Sequence, residues 1–437
     1  MKKIVFVLSL VLVLIFTSVT AFADTTNEII ISIDSTKVEF NDSLGFPFVD
    51  ENNRTLVPFR AALEKFGATV DWNNESRSAV AIKGDIKVEV PVEQNYIMKN
   101  GEKIATDTAA KIVNGRTYLP IRAVIEAFGS SVEWDQALNT VVITTTPVDA
   151  AAIFNEANNK SSDWKNYDST AEVHMSMNVP DDAGSVQAMH MKMNMFMTIF
   201  TNPMKAKLTS DMVMDVMGQQ ISQPVMQMYM SADDKGFTTY MGMPDSQGAL
   251  TWMKSTVENE MFAMLMKYDQ DTIESNKGIM QKYIKDVKYF GKYTDDAGRT
   301  LLRIQYSMST EIYKDLLGEY VEELSASMSE QDEVSAKMFE ELVSGNMGDL
   351  TFVVYIDEAT KEIVKYEMDL SPLMTNLMSR MTDMLGDMTE SDKAMLNSMK
   401  VTMVMEISNV NKATDFEIPA EALKAPEMPT VTEETAQ

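Results

Sequence analysis

Thioether side chains are the most distinctive chemical groups in this chain, which contains 38 methionines and no cysteine among 437 residues. Between Met189 and Met197 every second residue is a methionine, and His190 lies within the run. Thioether sulfur and imidazole are soft donors that suit Cu(I). Thioethers are also flexible and polarisable, so they fit varied apolar molecules. The run therefore permits a copper site or an apolar binding surface, and a methionine-rich core without a guest is the third interpretation.

The candidate copper ligands are two methionines and both histidines of the chain: Met191, Met193, His190 and His174. Successive side chains of a strand point to opposite faces. Met191 and Met193 would then share one face while His190 lies on the other, and His174 could approach from a neighbouring strand. An apolar lining explains the same run without a metal, so we expect no cofactor and keep Cu(I) as the alternative.

The same alternation returns at Met175 and Met177, at Met212 and Met214, and from Met226 onward. A period of two predicts strands with one thioether face and one mostly polar face. Further strands are predicted over residues 299–307, 350–357, 363–370 and 399–407. We expect all of these strands to form one antiparallel meander. The predicted cavity-lining residues are Met175, Met177, Met191, Met193, Met195, Met212, Met214, Met228, Met230, Met378 and Met381.

Apolar residues at helical spacing predict helices over residues 261–268, 311–329 and 373–388. A sheet with one apolar face and amphipathic helices bury both apolar surfaces when the helices pack onto the sheet. We therefore predict an α+β fold, in which two small strand–helix–strand repeats are followed by a large curved antiparallel sheet, a half-barrel, packed by helices.

The part of the chain before residue 148 is an internal repeat with only two methionines. Arg54–Ala61 returns as Arg116–Ala123, and the Phe-Gly and Val-acid-Trp motifs that follow also return, all with an offset of 62 residues. In each copy a proline opens a short helix, and a glycine lies where a left-handed residue would end it. The copies cover about residues 29–84 and 85–146.

At these motifs the chain resembles the stalk, or copper amine oxidase N-terminal-like, domain of Gram-positive cell surfaces. The resemblance implies a surface or cell-wall module. It does not imply an oxidase, because such a copper centre needs several imidazoles and this chain has two histidines. Candidate contacts to a wall polymer or partner are Arg60, Arg122, Trp72 and Trp134. The arginines could clasp acidic groups or pair with the glutamates four residues later, and the tryptophans could stack on sugars or pack in the core.

The second part resembles the exported LolA/LppX-type carrier fold, and more closely a family of methionine-rich Gram-positive surface proteins that share it. Besides the alternating strands, the resemblance depends on Asn202-Pro203-Met204, Met228-Tyr229-Met230 and Trp252-Met253-Lys254. It covers about residues 150–422. It implies a sheet whose concave side is covered by helices around an apolar cavity, in a fold whose members carry lipids or lipoproteins. The chain lacks the lipidated cysteine that anchors many of these relatives.

The amino-terminal residues predict export. Lys2 and Lys3 precede an apolar run, and Ala21-Phe22-Ala23 fits a signal-peptidase site with cleavage after Ala23. The predicted domains are a signal peptide (1–23), tandem stalk-like repeats (24–147), a methionine-rich domain (148–422) and a disordered acidic tail (423–437). No later segment is long and uncharged enough to cross a bilayer, so we expect an extracellular or cell-surface protein.

Charge and motif content exclude several classes of function. The net charge of −27 repels nucleic acid, and no nucleophile elbow, phosphate loop or zinc-protease motif occurs, so we expect no enzyme. The leading hypothesis is a secreted, cell-wall-associated binding protein for an apolar ligand, a lipid or apolar peptide, with an envelope component or wall polymer as partner. The alternatives are a structural wall protein without a ligand and an extracellular Cu(I)-binding protein.

Overall fold

The computed structural model describes most of the chain after the predicted signal peptide. The described residues are 28–180, 186–216, 219–233, 236–245, 248–257, 278–312, 315, 348–376, 379, 394–395 and 398–427. They form two compact units. The stalk-like unit contains the described residues of 23–153 and of 288–304, and the sheet unit contains those of 154–287 and 305–427.

The stalk-like unit is built from short strands and two short helices. Its elements are β1 (Ile30–Ile33), β2 (Thr36–Lys37), β3 (Phe48–Val49), β4 (Thr55–Pro58), α1 (Phe59–Lys65), β5 (Thr69–Asn73), β6 (Ser78–Lys83), β7 (Ile86–Pro91), β8 (Tyr96–Lys99), β9 (Glu102–Ala105), β10 (Lys111–Val113), β11 (Arg116–Pro120), α2 (Ile121–Ala127), β12 (Ser131–Asp135) and β13 (Thr140–Thr144). Three sheets result, with the strand orders β12-β13-β1-β2, β10-β11-β4-β3 and β5-β6-β7-β8-β9.

The two repeats are paired about a local two-fold axis. Strands β4 and β11 are antiparallel, and Val57 lies opposite Leu119, its own counterpart in the other copy. Both residues are buried, and the rings of Phe66 and Phe128, also counterparts, lie 5.6 Å apart. Each repeat therefore buries its apolar helix and strand against the same surface of the other.

Glycines end both helices as the sequence predicts. Gly67 has a φ of +86° and Gly129 a φ of +82°. Behind α1 the N–H of Ala68 donates to the carbonyl of Leu63 at 2.9 Å, and the N–H of Gly67 donates to the carbonyl of Glu64 at 3.0 Å. This pair of bonds is the Schellman motif, which satisfies the last carbonyls of a helix.

The sheet unit is dominated by long strands. Its elements begin with α3 (Ala150–Ser161) and continue as β14 (Asn166–Pro180), β15 (Val186–Thr201), β16 (Met204–Val216), β17 (Gln219–Ala232), β18 (Phe237–Pro244), β19 (Leu250–Val257), β20 (Ile284–Thr294), β21 (Thr300–Ser309), β22 (Asp349–Asp357), β23 (Ile363–Asp369), β24 (Lys400–Ser408) and α4 (Ala420–Leu423). Residues 278–283 and 371–376 are also helical. The predicted α+β class is confirmed.

The eleven-stranded sheet is not the simple meander that periodicity predicts. Its order is β19-β18-β17-β16-β15-β14-β24-β23-β22-β21-β20, so the last strand lies in the middle. β24 pairs with β14 from Asp168 opposite Ser408 to Ser176 opposite Lys400. Alternation within β24 defines its two faces but contains no information about which strands flank it, because backbone hydrogen bonds form with any partner of suitable register.

The outer half of the β20–β21 hairpin belongs to the stalk-like unit. Residues 288–304 group with the described residues of 23–153 into one compact unit. The guanidinium of Arg303 donates to the carboxylate of Asp135, and both side chains are almost wholly buried. The backbone N–H of Lys292 donates to Ser35 Oγ at 2.7 Å. The repeated sequence motifs do not predict that residues 288–304 belong to this unit.

The chain beyond the last strand is ordered farther than its composition suggests. We expected residues from 423 onward to be disordered, whereas the structure describes the chain to Glu427. Ala425 is buried, and the backbone N–H of Lys254 donates to the carbonyl of Pro426 at 3.0 Å. The physical reason is that the edge strand β19 has free backbone groups, which this segment satisfies.

Several predicted features lie outside the described residues. These are the helix predicted at 261–268, most of the helix predicted at 311–329, and most of the helix predicted at 373–388. The last of these includes the predicted lining residues Met378 and Met381. Within the described part of the chain, no helix is long and apolar enough to cross a membrane.

Candidate ligand-binding site

Register collects the methionines of successive strands on one side of the sheet. Residues directly opposite each other in neighbouring strands point to the same face. In this way Ser169, Met197, Leu208, Met228, Met241 and Met253 follow one another across β14 to β19. We call this side the methionine face. Other described thioethers on it are Met175, Met177, Met189, Met191, Met193, Met195, Met204, Met212, Met226, Met230, Met243, Met368, Met403 and Met405.

The exposure of the thioethers on the methionine face increases gradually along β15. At one end, Met195 and Met228 are each 1% exposed and Met197 is 6% exposed. Met191 and Met193 are half-buried, and Met189 at the other end is 44% exposed. The face therefore has a deep end at Met195, Met197 and Met228, and an open end at Met189.

Most of the methionines that the sequence predicts to line a cavity lie together on the methionine face. Met175, Met191, Met193, Met195, Met212, Met228 and Met230 lie on this face with Met177, and Met214 occupies the register position opposite Met191. The prediction omitted Met189, Met197, Met204, Met226, Met241, Met243, Met253, Met368, Met403 and Met405, which the register adds. Alternation of apolar residues from Met399 to Ile407 was the available signal for the last two.

Aromatic side chains continue the methionine face onto the strands beyond β24. Phe352 lies opposite Met368, which lies opposite Met403. The ring of Tyr306 stacks on Phe352 at 4.8 Å, and Phe154 of α3 packs on Tyr306 at 4.6 Å. Burial raises the pKa of Tyr306 well above its ordinary value, so the phenol stays neutral. This part is a closed core, in contrast to the open end.

The opposite face of β14 and β15 is mostly polar, although Phe196 also lies on it. Lys192 Nζ donates to Glu172 Oε1 at 2.7 Å, and this hydrogen bond lowers the pKa of the Glu172 carboxyl. His174 Nε2 lies 3.4 Å from Glu172 Oε2, and about half of each side chain is exposed. Charged and hydrogen-bonding groups remain accessible to water here, which is the normal environment for such groups.

The four proposed copper ligands do not form one site. His174 lies opposite Lys192 and His190 opposite Ser176, on the polar face, whereas Met191 and Met193 lie on the methionine face. The period of two separates them by the thickness of the sheet. Among the described residues, no group of three or more histidine, aspartate or glutamate side chains is arranged to hold a metal ion.

The four candidate contact residues of the stalk-like unit make local interactions. Arg122 Nη1 donates to the carbonyl of Val132 at 2.7 Å and lies 3.7 Å from Glu126, whereas Arg60 is exposed. Both tryptophans are half-buried against the core. Their indole N–H groups donate to the side chain two residues later, at 2.9 Å for Trp72 and 2.8 Å for Trp134.

A shallow groove of about 580 Å³ lies elsewhere on the stalk-like unit. Its lining residues are Glu28, Ile29, Phe46, Pro47, Phe48, Val49 and Asn139. The exposed fractions of Phe46 and Val49 are 48% and 50%. None of the residues that the sequence analysis selected lines this groove.

Comparison with known proteins finds a matching family model for each part of the chain. Residues 32–143 match the family model of the copper amine oxidase N-terminal domain, which supports the stalk-like interpretation. No curated protein matches the chain. Among solved structures, a DUF1329 family protein from Desulfovibrio piger ATCC 29098 is similar at 10% identity and a TM-score of 0.18, over 62% of this chain and 96% of that chain. Residues 149–427, more than half of the chain, match the model of a family of unknown function, DUF6612, and the chain therefore belongs to that family.

Proposed function

We propose that this protein is an exported, non-catalytic binding protein of the cell surface whose methionine face holds an apolar ligand, a lipid or an apolar peptide. The stalk-like unit would associate with a wall polymer or an envelope protein. The observation that carries the proposal is the graded exposure of aligned thioethers, from Met195 and Met228, which are each 1% exposed, to Met189, which is 44% exposed.

The chemistry of the face suits an apolar guest of variable shape. Burial of apolar surface contributes about 25 cal/mol per Å², and thioether side chains adapt to different partners with little strain. A binding surface of this kind is expected to be tolerant, selecting ligands for apolarity and length. The resemblance of the alternating strands to LolA/LppX-type carriers supports the same function.

The competing function is a structural wall protein without a ligand. The observation that favours it is the near-complete burial of the deep end, where Met195, Met197 and Met228 pack like an ordinary core. The two functions differ at the open end, because a protein without a guest has no need of exposed thioethers there.

Native mass spectrometry of the protein purified from its original host tests the proposal. We expect a co-purifying apolar molecule and saturable binding of a fluorescent acyl probe. The double variant Met191→Ser/Met193→Ser should weaken probe binding about tenfold, since each substitution removes buried apolar contact. The matched control is Lys192→Ser, on the polar face of the same strand, which should leave affinity unchanged. A bare protein that binds no probe would leave only the structural function.

A further inference from the structure

Two serine hydroxyls lie on the methionine face at its deep end. Ser169 and Ser210 are each 2% exposed. Neither Oγ atom has a hydrogen-bond partner among the described residues. A buried hydroxyl without a partner is unfavourable because it has given up its hydrogen bonds to water, so such a group in a native interior requires an explanation.

The surroundings of both hydroxyls are apolar. Ser169 lies opposite Met197 on one side and Ile407 on the other. Ser210 lies opposite Met195 and Met226. The described residues in these two cross-strand rows include no charged side chain. The rows therefore offer two neutral hydrogen-bonding groups within a thioether surface.

The separation of the hydroxyls defines the size of what they can bind. Their strands, β14 and β16, flank β15, and the two serines are offset by two residues along it. With a strand spacing of about 4.8 Å and a rise of about 3.4 Å per residue, their Cα atoms lie about 12 Å apart. One atom cannot contact both hydroxyls, whereas a head group with several oxygens can reach from one toward the other.

We propose that Ser169 and Ser210 form a subsite for the uncharged, oxygen-rich head of a single-chain lipid of the monoacylglycerol class. Its alkyl chain lies along the thioethers toward Met189. This inference rests on the proposed function and narrows its ligand class. The head enters first, because the hydroxyls are at the deep end and the exposed thioethers are at the other.

The same geometry selects against a carboxylate head. Burial of a carboxylate is unfavourable unless a cation or several donors compensate it, and the two rows contain only neutral groups. The net charge of −27 further disfavours anions. A monoacylglycerol should therefore bind more tightly than the fatty acid with the same chain at neutral pH.

The test compares two probes on the full-length protein, monopalmitoylglycerol and hexadecane, with palmitate as a third. We expect Ser169→Ala and Ser210→Ala each to weaken monopalmitoylglycerol binding about tenfold and to leave hexadecane binding unchanged. Ser176→Ala, on the polar face of β14, is the control. Ser169→Thr keeps the hydroxyl and should retain affinity. The melting temperature of the ligand-free variants should not fall.

Each other result has a definite meaning. If hexadecane binds but the serine variants lose nothing, or lose both probes equally, the head subsite is wrong and the apolar face survives. Palmitate binding as tightly as monopalmitoylglycerol also overturns the subsite. If the wild-type protein binds none of the three, the proposed function fails together with the subsite.

Discussion

At the residue scale, one of the differences between the two repeats determines whether a buried ion pair can form. Asn73 and Asp135 are counterparts, and each side-chain oxygen accepts hydrogen bonds from the backbone N–H groups two and three residues later. The turn itself needs only an acceptor. The negative charge of Asp135 pairs with the buried Arg303. The first repeat has no carboxylate at this position and cannot form such a pair.

Removal of one partner from this pair should destabilise the stalk-like unit. Arg303→Met leaves the Asp135 carboxylate buried without its cation, so the free energy of unfolding should fall by about 3–5 kcal/mol. Urea denaturation followed by tryptophan fluorescence measures the loss. Addition of Asp135→Asn should recover much of it, because Asn73 shows that an amide supports the same turn.

The control is an arginine on the same hairpin. Arg299 lies 2.7 Å from Asp295, and about half of its side chain is exposed. Arg299→Met should cost less than about 1 kcal/mol, as exposed pairs contribute little. Similar losses in the two single variants would show that burial of Arg303 does not matter.

At the scale of elements, local sequence predicts the helices of the repeats and the faces of the long strands. Proline, helical spacing and glycine act within a few residues of one another, and alternation acts within one strand. Strand order depends on other contacts. β24 pairs with β23, the strand that precedes it, and also with β14, which lies far earlier in the chain. No local pattern contains the pairing with β14.

The glycines that end the two helices permit a test of backbone strain in which steric crowding plays no part. An added Cβ at Gly67 or Gly129 would meet no atom within 4 Å, yet φ is +86° and +82°. Gly67→Ala and Gly129→Ala should therefore each lower the free energy of unfolding by about 1 kcal/mol through the left-handed backbone alone. Thermal unfolding measures this loss. Gly67→Asn should cost less, since asparagine tolerates this conformation, and an equal loss would contradict the explanation.

At the scale of the whole molecule, charge determines how the protein responds to salt. With 65 acidic against 38 basic residues, the folded chain repels itself. An increase in NaCl from about 0.01 M to about 0.15 M shortens the screening length from about 30 Å to about 8 Å. The urea midpoint at neutral pH should therefore rise over this range.

The same salt series near the isoelectric point is the control, because the net charge is then small and the midpoint should hardly move. A flat response at neutral pH would show that self-repulsion contributes nothing to stability. The salt dependence of the urea midpoint arises from the net charge of the whole chain, so we expect no single surface substitution to abolish it.

The sequence by itself determined the repeat, its glycine-terminated helices, the alternating strands, and the separation of Met191 and Met193 from His190. These features depend on residues close together in the chain. Only the tertiary structure decided the central position of β24, the membership of residues 288–304 in the stalk-like unit, and the burial of Ser169 and Ser210. Such features arise from pairing between distant segments, because backbone hydrogen bonds do not identify their partners and burial depends on what the rest of the fold places nearby.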